Sequence, residues 1–393
     1  MRSEPLAPPR LAFEADGRPR SLRHDDLYYP RQGALAQALQ VFLAGSDLPA
    51  RWRQRERFVV LEAGFGFGSN FLATWAAWRD DPQRPRRLHY IAIEAAPPTR
   101  PMLAAISREA PMDALTTELL AAWPPHTCDL HQLDFAGGAV RLSLAFGSVA
   151  AWLPQIEARV DAFFLDGFAP ARNPEMWESR VFKALARLAV PGATLATSST
   201  VTAVGKGLAS AGFAVTAAPG DGGEPEVMRA TYAPAFVPRR SARARTGAAP
   251  ADERIDPVVI VGAGIAGCAI AAALAAQGRR SLLLERRTEI AAEASGNAIA
   301  LFHGVVHAED GRHARFFRAA ALQAQRIVGR FIAADASIGA ICGVLRLATK
   351  HDSAAALRGI AGELGLGDDY AFALDAVAAS DLAGVRLATP AWC

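Results

Sequence analysis

Short apolar runs and stretches with helical spacing alternate along the first 235 residues of the chain. Apolar runs that end at a polar residue are typical of buried parallel strands. The runs predict strands at Phe58–Glu62, Leu88–Glu94, Ala139–Phe146, Asp161–Asp166 and Ala193–Ser198.

Helical spacing of apolar residues fills the gaps between these strands, at Phe71–Trp78 and Val181–Leu188. Phe213–Thr216 and Glu226–Tyr232 predict an antiparallel pair that follows the last parallel strand. Strands that alternate with helices favour a mainly parallel, doubly wound α/β sheet.

A second strand–helix–strand pattern begins at Val258, after a stretch without periodicity. That stretch, Ala233–Pro257, is interrupted by prolines. We therefore predict a linker over residues 236–256, between one domain of residues 1–235 and another of residues 257–393. Arg312–Ile332 predicts a further helix, and Ile341–Leu347 a strand.

Composition indicates a globular, intracellular protein. Hydrophobic residues make up 51% of the chain and charged residues 21%, which are values of folded domains. The four cysteines are far apart, without a C-x-x-C pair, so we expect a reducing cytosol and no zinc site. The amino terminus has no apolar core of a signal peptide, and Val258–Gly278 has glycines that suit a strand and helix better than a membrane span.

Basic residues cluster at two places, although the net charge is only +3. Arginine occupies every second position from Arg51 to Arg57, which in extended form would present one face suited to phosphate. The linker holds four more arginines, between Arg239 and Arg245. Either cluster could contact RNA phosphates, and a solvated loop is the alternative for each.

A glycine loop after the first strand carries the strongest chemical signal. Glycines there allow a close approach of backbone to a ligand. An acid before the loop would repel a pyrophosphate and attract the positive methionine end of S-adenosylmethionine, while the acid that ends the second strand can accept both ribose hydroxyls. This pattern predicts a class I methyltransferase, with any α/β unit that has a tight turn as the alternative. The predicted cofactor-binding residues are Glu62, Gly64, Gly66, Gly68, Asn70 and Glu94.

Asp166 ends the fourth predicted strand, where ligands bind in open α/β sheets. A carboxylate there can accept a proton or orient an amine. The alternative is a helix-capping aspartate. Gly167 ends the strand, and the prolines Pro170 and Pro174 stiffen the loop that follows.

The second glycine loop has the spacing G-x-G-x-x-G between a strand and a helix. Glu285 ends the next strand, at the distance expected for a ribose contact. The arrangement predicts a dinucleotide site, with the pyrophosphate at the helix amino terminus. The predicted residues are Gly262, Gly264, Gly267, Glu285, Ser295 and Asn297.

Metal binding is not expected. His303 and His307 are four residues apart, but no cysteine or carboxylate completes a ligand set, and Gly304 disfavours a helix between them.

Two stretches, Glu62–Trp75 and Phe164–Trp177, resemble one family closely: the bifunctional tRNA 5-methylaminomethyl-2-thiouridine biosynthesis proteins. The domain order is similar too, and Ala294–Asn297 looks like the flavin loop of that family. The resemblance covers the chain from about residue 25 onwards.

The resemblance implies S-adenosylmethionine and FAD as cofactors and tRNA as partner. The flavin domain would convert a carboxymethylaminomethyl group on the wobble uridine to aminomethyl, and the first domain would methylate that amine. Asp166 would be the catalytic group, and Phe168 would stack on the base. Tyr28, Arg172 and Asn173 are further candidates for substrate contact. We expect a cytoplasmic protein with no membrane or metal partner. The sequence leaves the oligomeric state open, with a monomer favoured.

This chain departs from the family pattern in two ways. Where the family has Phe-Gly-Asp after the third strand, with the acid on adenine, this chain has Ser148, which can still hydrogen-bond. The stretch from Pro257 to Cys393 is short for an oxidase of this type, so we expect an incomplete flavin domain with weak or lost FAD binding.

Two other classes compete with this hypothesis. One is a small-molecule amine methyltransferase fused to an oxidase fragment, with no RNA partner. The other is a non-catalytic nucleotide-binding protein, which the placement of Glu62, Glu94 and Asp166 at strand ends disfavours.

Overall fold

The computed structural model describes residues 6–106, 112–218, 227–234, 257–348 and 353–393. Residue contacts group the chain into two compact units. The first unit comprises residues 1–235 together with 303–393, and the second comprises residues 236–302. The predicted linker, 236–256, lies outside the described residues, and the predicted boundary at residue 257 stays a prediction.

The first unit begins with a small antiparallel sheet that the sequence did not predict. Its strands are β1 (Leu11–Phe13), β2 (Pro19–Ser21) and β3 (Asp26–Leu27), in that spatial order. Strands of two or three residues are too short for alternation to show in the sequence.

An eight-stranded sheet forms the body of the first unit, in the order β10-β11-β9-β8-β4-β5-β7-β6. The central strands β4, β5, β7, β8 and β9 are parallel. The pair β10–β11 is antiparallel, as predicted, and β6 is an antiparallel edge strand that the sequence did not reveal. The strands are β4 (Arg57–Ala63), β5 (Arg87–Glu94), β6 (Leu130–Phe135), β7 (Val140–Phe146), β8 (Val160–Leu165), β9 (Ala189–Thr197), β10 (Phe213–Ala218) and β11 (Val227–Tyr232).

Helices cover both faces of this sheet, which is the doubly wound arrangement. Neighbouring residues of β8 point to opposite faces: Phe164 packs in the core beside Phe71 and Trp75, and Phe163 in the core beside Phe182. The helices associated with the sheet are α1 (Ala34–Gln37, continued by a π-helical turn, Ala38–Leu43), α2 (Ser69–Asp80), α3 (Arg100–Ile106), α4 (Asp113–Ala122), α5 (Val149–Trp152), α6 (Ser179–Leu188) and α7 (Thr202–Ser210).

The second unit contains the second glycine loop. β12 (Val258–Val261) pairs in parallel with β13 (Ser281–Leu284), and α8 (Ile265–Ala276) connects them. The three elements form the strand–helix–strand arrangement that the glycine spacing predicted.

Residues 303–393 pack with the first unit. The long helix α9 (Arg312–Ala334) contacts the edge strand β6. The fully buried guanidinium of Arg318 lies between Asp129, at 2.6 Å, and Asp310, at 2.8 Å. The remaining elements are β14 (Arg346–Leu347), α10 (Ala354–Leu364), β15 (Ala373–Leu374), α11 (Ala376–Ala383) and β16 (Ala391–Trp392). The predicted strand Ile341–Leu347 is limited to β14.

The row of alternate arginines does not form an extended basic face. Ala50–Trp52 is a 3₁₀ turn, and the guanidinium groups bond to other parts of the unit. Arg51 donates to the carbonyl oxygen of Gly192, Arg53 pairs with Asp81 and Arg55 with Asp161. These contacts stabilise the fold, whereas Arg57 is exposed at the start of β4, and the hypothesis that this row binds phosphate stays a prediction.

Candidate active site

A cavity of about 570 Å³ opens at the carboxyl ends of the parallel strands. The ends of β4, β5, β8 and β9 form its floor, and the small sheet β1–β3 with the segment after it forms a wall. The structure brings eight of the predicted site residues to its lining: Tyr28, Gly64, Gly66, Glu94, Ser148, Asp166, Phe168 and Asn173. Glu62, Gly68, Asn70 and Arg172 are not part of that lining.

The first glycine loop requires glycine for steric reasons. Gly64 has φ +95°, and a Cβ there would lie 1.7 Å from the carbonyl oxygen of Asp166. The same glycine donates its N–H to Ile93, and Asp166 donates its N–H to Ala63. The loop therefore connects the ends of three neighbouring strands, and a side chain at Gly64 would separate them.

Glu94 lies beside this loop. Its carboxylate accepts the N–H of Gly66 at 2.8 Å and that of Ala96 at 2.8 Å. Burial raises its pKa, and the backbone N–H groups oppose that rise. Each carboxylate oxygen has a second lone pair, so Glu94 can still accept ribose hydroxyls from within the cavity.

Glu62 lies behind the cavity wall, not in it. Its side chain is fully buried and accepts hydrogen bonds from Asn70, at 2.7 Å, and from the hydroxyl of Tyr90, at 3.0 Å. Burial and the neighbouring Asp166 raise its pKa well above the ordinary value. Glu62 therefore does not reach the cavity, and the predicted direct contact between its carboxylate and the cofactor is not possible in this geometry.

Asn70 connects the two carboxyl groups. Its Nδ2 atom donates to Oε1 of Glu62 and to Oδ2 of Asp166, both at 2.7 Å. The side chain is buried at the start of α2, one residue after Ser69. It therefore fixes the orientation of Asp166 from behind the cavity surface.

Asp166 combines exposure to the cavity with a raised pKa. Burial, together with the charge of Glu94, raises the pKa of Asp166 to about 7, although the hydrogen bond from Asn70 lowers it. Its other oxygen, Oδ1, has no hydrogen-bond partner within the described part of the chain. A carboxyl group with a pKa near neutral can both take and release a proton there.

Aromatic rings surround the entrance above Asp166. Phe168 stacks on His24 at a centroid distance of 4.7 Å and meets the edge of Tyr28 at 5.0 Å. The backbone of Phe168 is held by Trp177, whose indole N–H donates to its carbonyl oxygen. Tyr28 also lies against Gly66, so one ring touches both the glycine loop and the aromatic group. Planar rings in this position can stack on a nucleobase.

The loop after Phe168 is tied to the small sheet. Asp26 accepts the N–H of Ala169 at 2.9 Å, and His24 donates through Nδ1 to the carbonyl oxygen of Arg172. The guanidinium of Arg172 pairs with Asp25 at 3.1 Å, whereas Asn173 lines the cavity. Of these two predicted substrate residues, Asn173 lines the cavity and Arg172 does not, and a contact of Arg172 with substrate stays a prediction.

Ser148 caps the short helix α5. Its hydroxyl oxygen accepts the N–H of Ala151 at 3.3 Å, and the residue lines the cavity. A hydroxyl that accepts one bond still has a proton to donate. Ser148 can therefore donate to an adenine nitrogen, which an ionised aspartate cannot do.

The second glycine loop also has the geometry of a nucleotide site. Gly262 has φ +96°, and a Cβ on Gly267 would lie 1.9 Å from the carbonyl oxygen of Gly262. Glu285 accepts the N–H of Ala263 at 2.7 Å, and Ser295 accepts the N–H of Ile265 at 3.0 Å. Ser295 thus lies at the amino terminus of α8, and Asn297 follows it on the exposed surface. Gly262, Gly264, Gly267 and Glu285 fit the diphosphate and ribose of FAD.

Some residues of the first site were missed from the sequence. His24 and Asp26 precede any recognisable motif, and Ser198–Val201, which also line the cavity, follow the last predicted parallel strand. The position after a parallel strand is a usable signal for the second group. No local signal identifies the first, because its contacts are made with residues more than a hundred positions away.

Two family models match the chain. One, described as an S-adenosyl-L-methionine-dependent methyltransferase, matches residues 110–233, and the other, an FAD dependent oxidoreductase, matches residues 257–390. These matches confirm the predicted fold class and the two cofactors inferred from the glycine loops.

Similar proteins match along the whole chain. It is 47% identical over 100% of its length to a protein of Methylibium petroleiphilum named tRNA 5-methylaminomethyl-2-thiouridine biosynthesis bifunctional protein MnmC. It is 42% identical over 99% of its length to a protein of the same name from Azoarcus sp.. The chain covers 59% and 60% of these relatives, so it spans about three fifths of their length.

A solved structure with similarity is the crystal structure of MNMC2 from Aquifex aeolicus. It shares 20% sequence identity with this chain at a TM-score of 0.48, over 58% of this chain and 71% of that one.

No helix in the described ranges is both long enough and apolar enough to span a bilayer. Across the same ranges, no three histidine, cysteine or acidic side chains are grouped so that they could bind a metal ion.

Proposed function

We infer from this full-length similarity that the chain belongs to the family of bifunctional tRNA 5-methylaminomethyl-2-thiouridine biosynthesis proteins, and that its first domain methylates the amine of 5-aminomethyl-2-thiouridine in tRNA. One observation carries the proposal: Asp166, with its pKa raised to about 7, faces the cavity between the glycine loop and the ring of Phe168. This arrangement suits an amine attached to a planar base.

The cavity has groups that would hold the methyl donor. The glycine loop at Gly64 and Gly66 allows a close approach, Glu94 would accept ribose hydroxyls, and Ser148 would donate to adenine. When bound, S-adenosylmethionine supplies the methyl group. Glu62, Gly68 and Asn70 do not line the cavity. They would support the site from behind its surface.

Asp166 would make the acceptor amine reactive. An alkylamine is largely protonated near neutral pH, and it can attack only through a free lone pair. The free Oδ1 of Asp166 would accept a proton from nitrogen, while Asn70 holds Oδ2 in place. The nitrogen would lose a proton to the carboxylate and then gain the methyl group as the bond between that group and the donor's sulfonium sulfur breaks. The sulfonium would become a neutral thioether and the methylated amine would take its positive charge, so the charges balance. Correct placement of the amine supplies much of the rate.

The aromatic group would hold the base. Phe168 and Tyr28 would place the uracil ring so that its 5-substituent reaches Asp166, and Asn173 would contact its edge. A base held in this way has to leave the stack of the anticodon loop. tRNA as the substrate implies a protein of the cytoplasm.

The FAD-matching domain would generate the amine that is methylated. Gly262, Gly264, Gly267 and Glu285 would hold the adenosine diphosphate part of FAD, with Ser295 and Asn297 beside it. When bound, FAD supplies the acceptor for a hydride from the carbon next to nitrogen.

A nucleoside assay tests the methylation. The protein is incubated with S-adenosylmethionine and tRNA that carries 5-aminomethyl-2-thiouridine, and the digested nucleosides are analysed by mass spectrometry. We expect the aminomethyl nucleoside to gain one methyl group, and no gain when the donor is omitted. An unchanged nucleoside in the complete reaction, with a protein that binds the donor, would refute the proposed function.

A further inference from the structure

Two arginines at the rim of the cavity have no acidic partner. Arg10 and Arg23 are exposed and line the cavity. Their backbones are neighbours, because the carbonyl oxygen of Arg10 accepts the N–H of Leu22, the residue before Arg23, at 2.9 Å. Arg10 precedes β1 and Arg23 follows β2, so the small sheet β1–β3 carries two positive side chains that both line the cavity.

Three other arginines near this entrance form ion pairs. Arg18 pairs with Asp16, Arg20 with Glu14 and Asp25, and Arg172 with Asp25. Neither Arg10 nor Arg23 forms an ion pair within the described ranges. Two unpaired positive charges that line the mouth of one cavity raise the local positive potential and attract an anion.

The interior of the same cavity indicates which anion. Beyond the two arginines lie His24, stacked on Phe168, and Tyr28. Unpaired nucleotides are bound by this combination, in which bases stack on aromatic rings and cationic side chains follow the phosphates.

We propose that Arg10 and Arg23 bind the phosphates that flank the target nucleotide of an unpaired RNA loop, while the rings of Phe168 and Tyr28 hold its base. This inference rests on the proposed function and adds the surface that distinguishes an RNA strand from a free nucleoside. The two arginines contribute to RNA binding and not to the chemical step.

A double variant, Arg10→Ala/Arg23→Ala, tests the inference against a matched control. The control, Arg159→Ala/Arg358→Ala, removes two exposed arginines that also have no ion pair within the described ranges and lie away from the cavity lining. Both variants lose two positive charges, so a general effect of net charge is the same in each. A third variant, Arg10→Lys/Arg23→Lys, keeps the charge.

For the alanine variant at the rim, we expect KM for tRNA to rise about tenfold or more with kcat unchanged, since phosphate contacts contribute to affinity. The slope of log(kcat/KM) against log salt should become shallower by about 1.4 to 1.8, as for two lost contacts. The control and the lysine variant should stay close to the wild type. The free nucleoside, which has no phosphates, should be methylated equally by all four proteins.

Three results would overturn the inference. One is that the variant Arg10→Ala/Arg23→Ala has the same KM for tRNA and the same salt slope as the control variant. Another is an increase in KM for S-adenosylmethionine, which would assign the arginines to the carboxylate of the donor. The third is a wild-type protein that does not methylate tRNA, which would refute the proposed function and this inference with it. Normal wild-type methylation with an unaffected rim variant would refute the inference alone.

Discussion

The single hydrogen bond from Asn70 to Asp166 leaves one carboxylate oxygen free to face the cavity, and this geometry sets the first prediction. Replacing Asp166 by alanine removes the proton acceptor but no group that contacts the donor. We expect the Kd for S-adenosylmethionine, measured by calorimetry, to stay within a few-fold. Turnover of aminomethyl-uridine tRNA should fall about a hundredfold or more, the scale for loss of a positioned base.

An acid elsewhere on the same domain provides the control for this variant. Glu157 is exposed just before β8, at the opposite end of the strand from Asp166. Glu157→Gln should methylate tRNA normally. Near-normal methylation by Asp166→Ala would instead reduce Asp166 to a structural residue and direct attention to the loop that contains Asn173.

The pH dependence of methylation follows from the same carboxyl group. The base acts in its ionised form, so the rate should rise with pH through about 7, the pKa of Asp166, and about one carboxyl in a hundred is ionised at pH 5. Asn70 donates to this carboxyl and lowers its pKa. The Asn70→Ala variant should therefore move the acidic limb of the pH–rate profile to higher pH.

A neighbouring residue of the same helix separates this effect from general damage. Thr74 donates to the backbone carbonyl of Asn70 and is buried. Thr74→Ala should leave the acidic limb in place, even if it lowers stability. A limb that does not move in Asn70→Ala would show that Asn70 has no influence on the ionisation of Asp166.

For individual residues, the sequence predicted where a side chain lies in the fold better than it predicted what that side chain contacts. Glu62, Glu94 and Asp166 were found because parallel strands bring their carboxyl ends to one edge. The burial of Glu62 was not predictable, since it depends on Tyr90 and Asn70, whose side chains reach it only in the folded sheet. His24 was missed for the same reason.

The glycine loop makes a prediction at the scale of the element. Gly66 has φ +54°, which a β-branched residue does not adopt without strain, and a Cβ there would lie 3.6 Å from Tyr28, at the loop that the donor would approach. Gly66→Val should abolish binding of S-adenosylmethionine in calorimetry while thermal unfolding remains cooperative. Gly137 has φ +66° in open space, so Gly137→Val has similar backbone strain and should bind normally. Unchanged binding by Gly66→Val would refute this placement of the donor.

The second glycine loop allows the corresponding test for FAD. A Cβ at Gly267 would collide with the carbonyl oxygen of Gly262 at 1.9 Å and push α8 away from β12. Gly267→Ala should weaken FAD binding, measured by quenching of flavin fluorescence. Gly359, in α10, has open space around it, and Gly359→Ala should bind FAD as the wild type does. Equal binding by both variants would exclude this loop from the flavin site.

The elements that the sequence predicted best are those with the strongest apolar runs. The parallel strands of the large sheet are buried on both sides, so their sequences are continuously apolar. The ion pairs of Arg53 and Arg55 could not be predicted, because their partners, Asp81 and Asp161, are distant in sequence. The edge strand β6 alternates weakly and was missed.

At the scale of the whole molecule, a buried ion network joins the two halves of the sequence. Asp129 precedes the sheet edge β6, whereas Arg318 and Asp310 belong to the residues matched by the oxidoreductase model. Burial opposes the charge on Arg318, but its bonds to both aspartates outweigh this and raise its pKa. The guanidinium stays charged at every pH at which the fold persists.

Removing this guanidinium should be costly. Arg318→Leu would leave Asp129 and Asp310 buried without the cation that both contact, and we expect a loss of about 3 to 5 kcal/mol in the free energy of unfolding. Arg180→Leu, which breaks the exposed pair with Glu178, should change it by less than about 1 kcal/mol. Urea unfolding followed by tryptophan fluorescence measures both. Equal stability of the two variants would show that the network contributes little.

The network also restricts how this chain can exchange segments with a similar one. A chimera could join the first 302 residues of one chain to the remainder of another. It would then pair the edge strand β6 of one chain with the helix α9 of the other, and the two would not have been selected together. The incoming segment would have to supply a cation that contacts Asp129, as Arg318 does, together with an acid in the place of Asp310. Without that cation, the hybrid would bury the charge of Asp129 without a counter-ion. Successful exchanges should therefore inherit Asp129, Asp310 and Arg318 as one set, although 189 positions separate the first from the last.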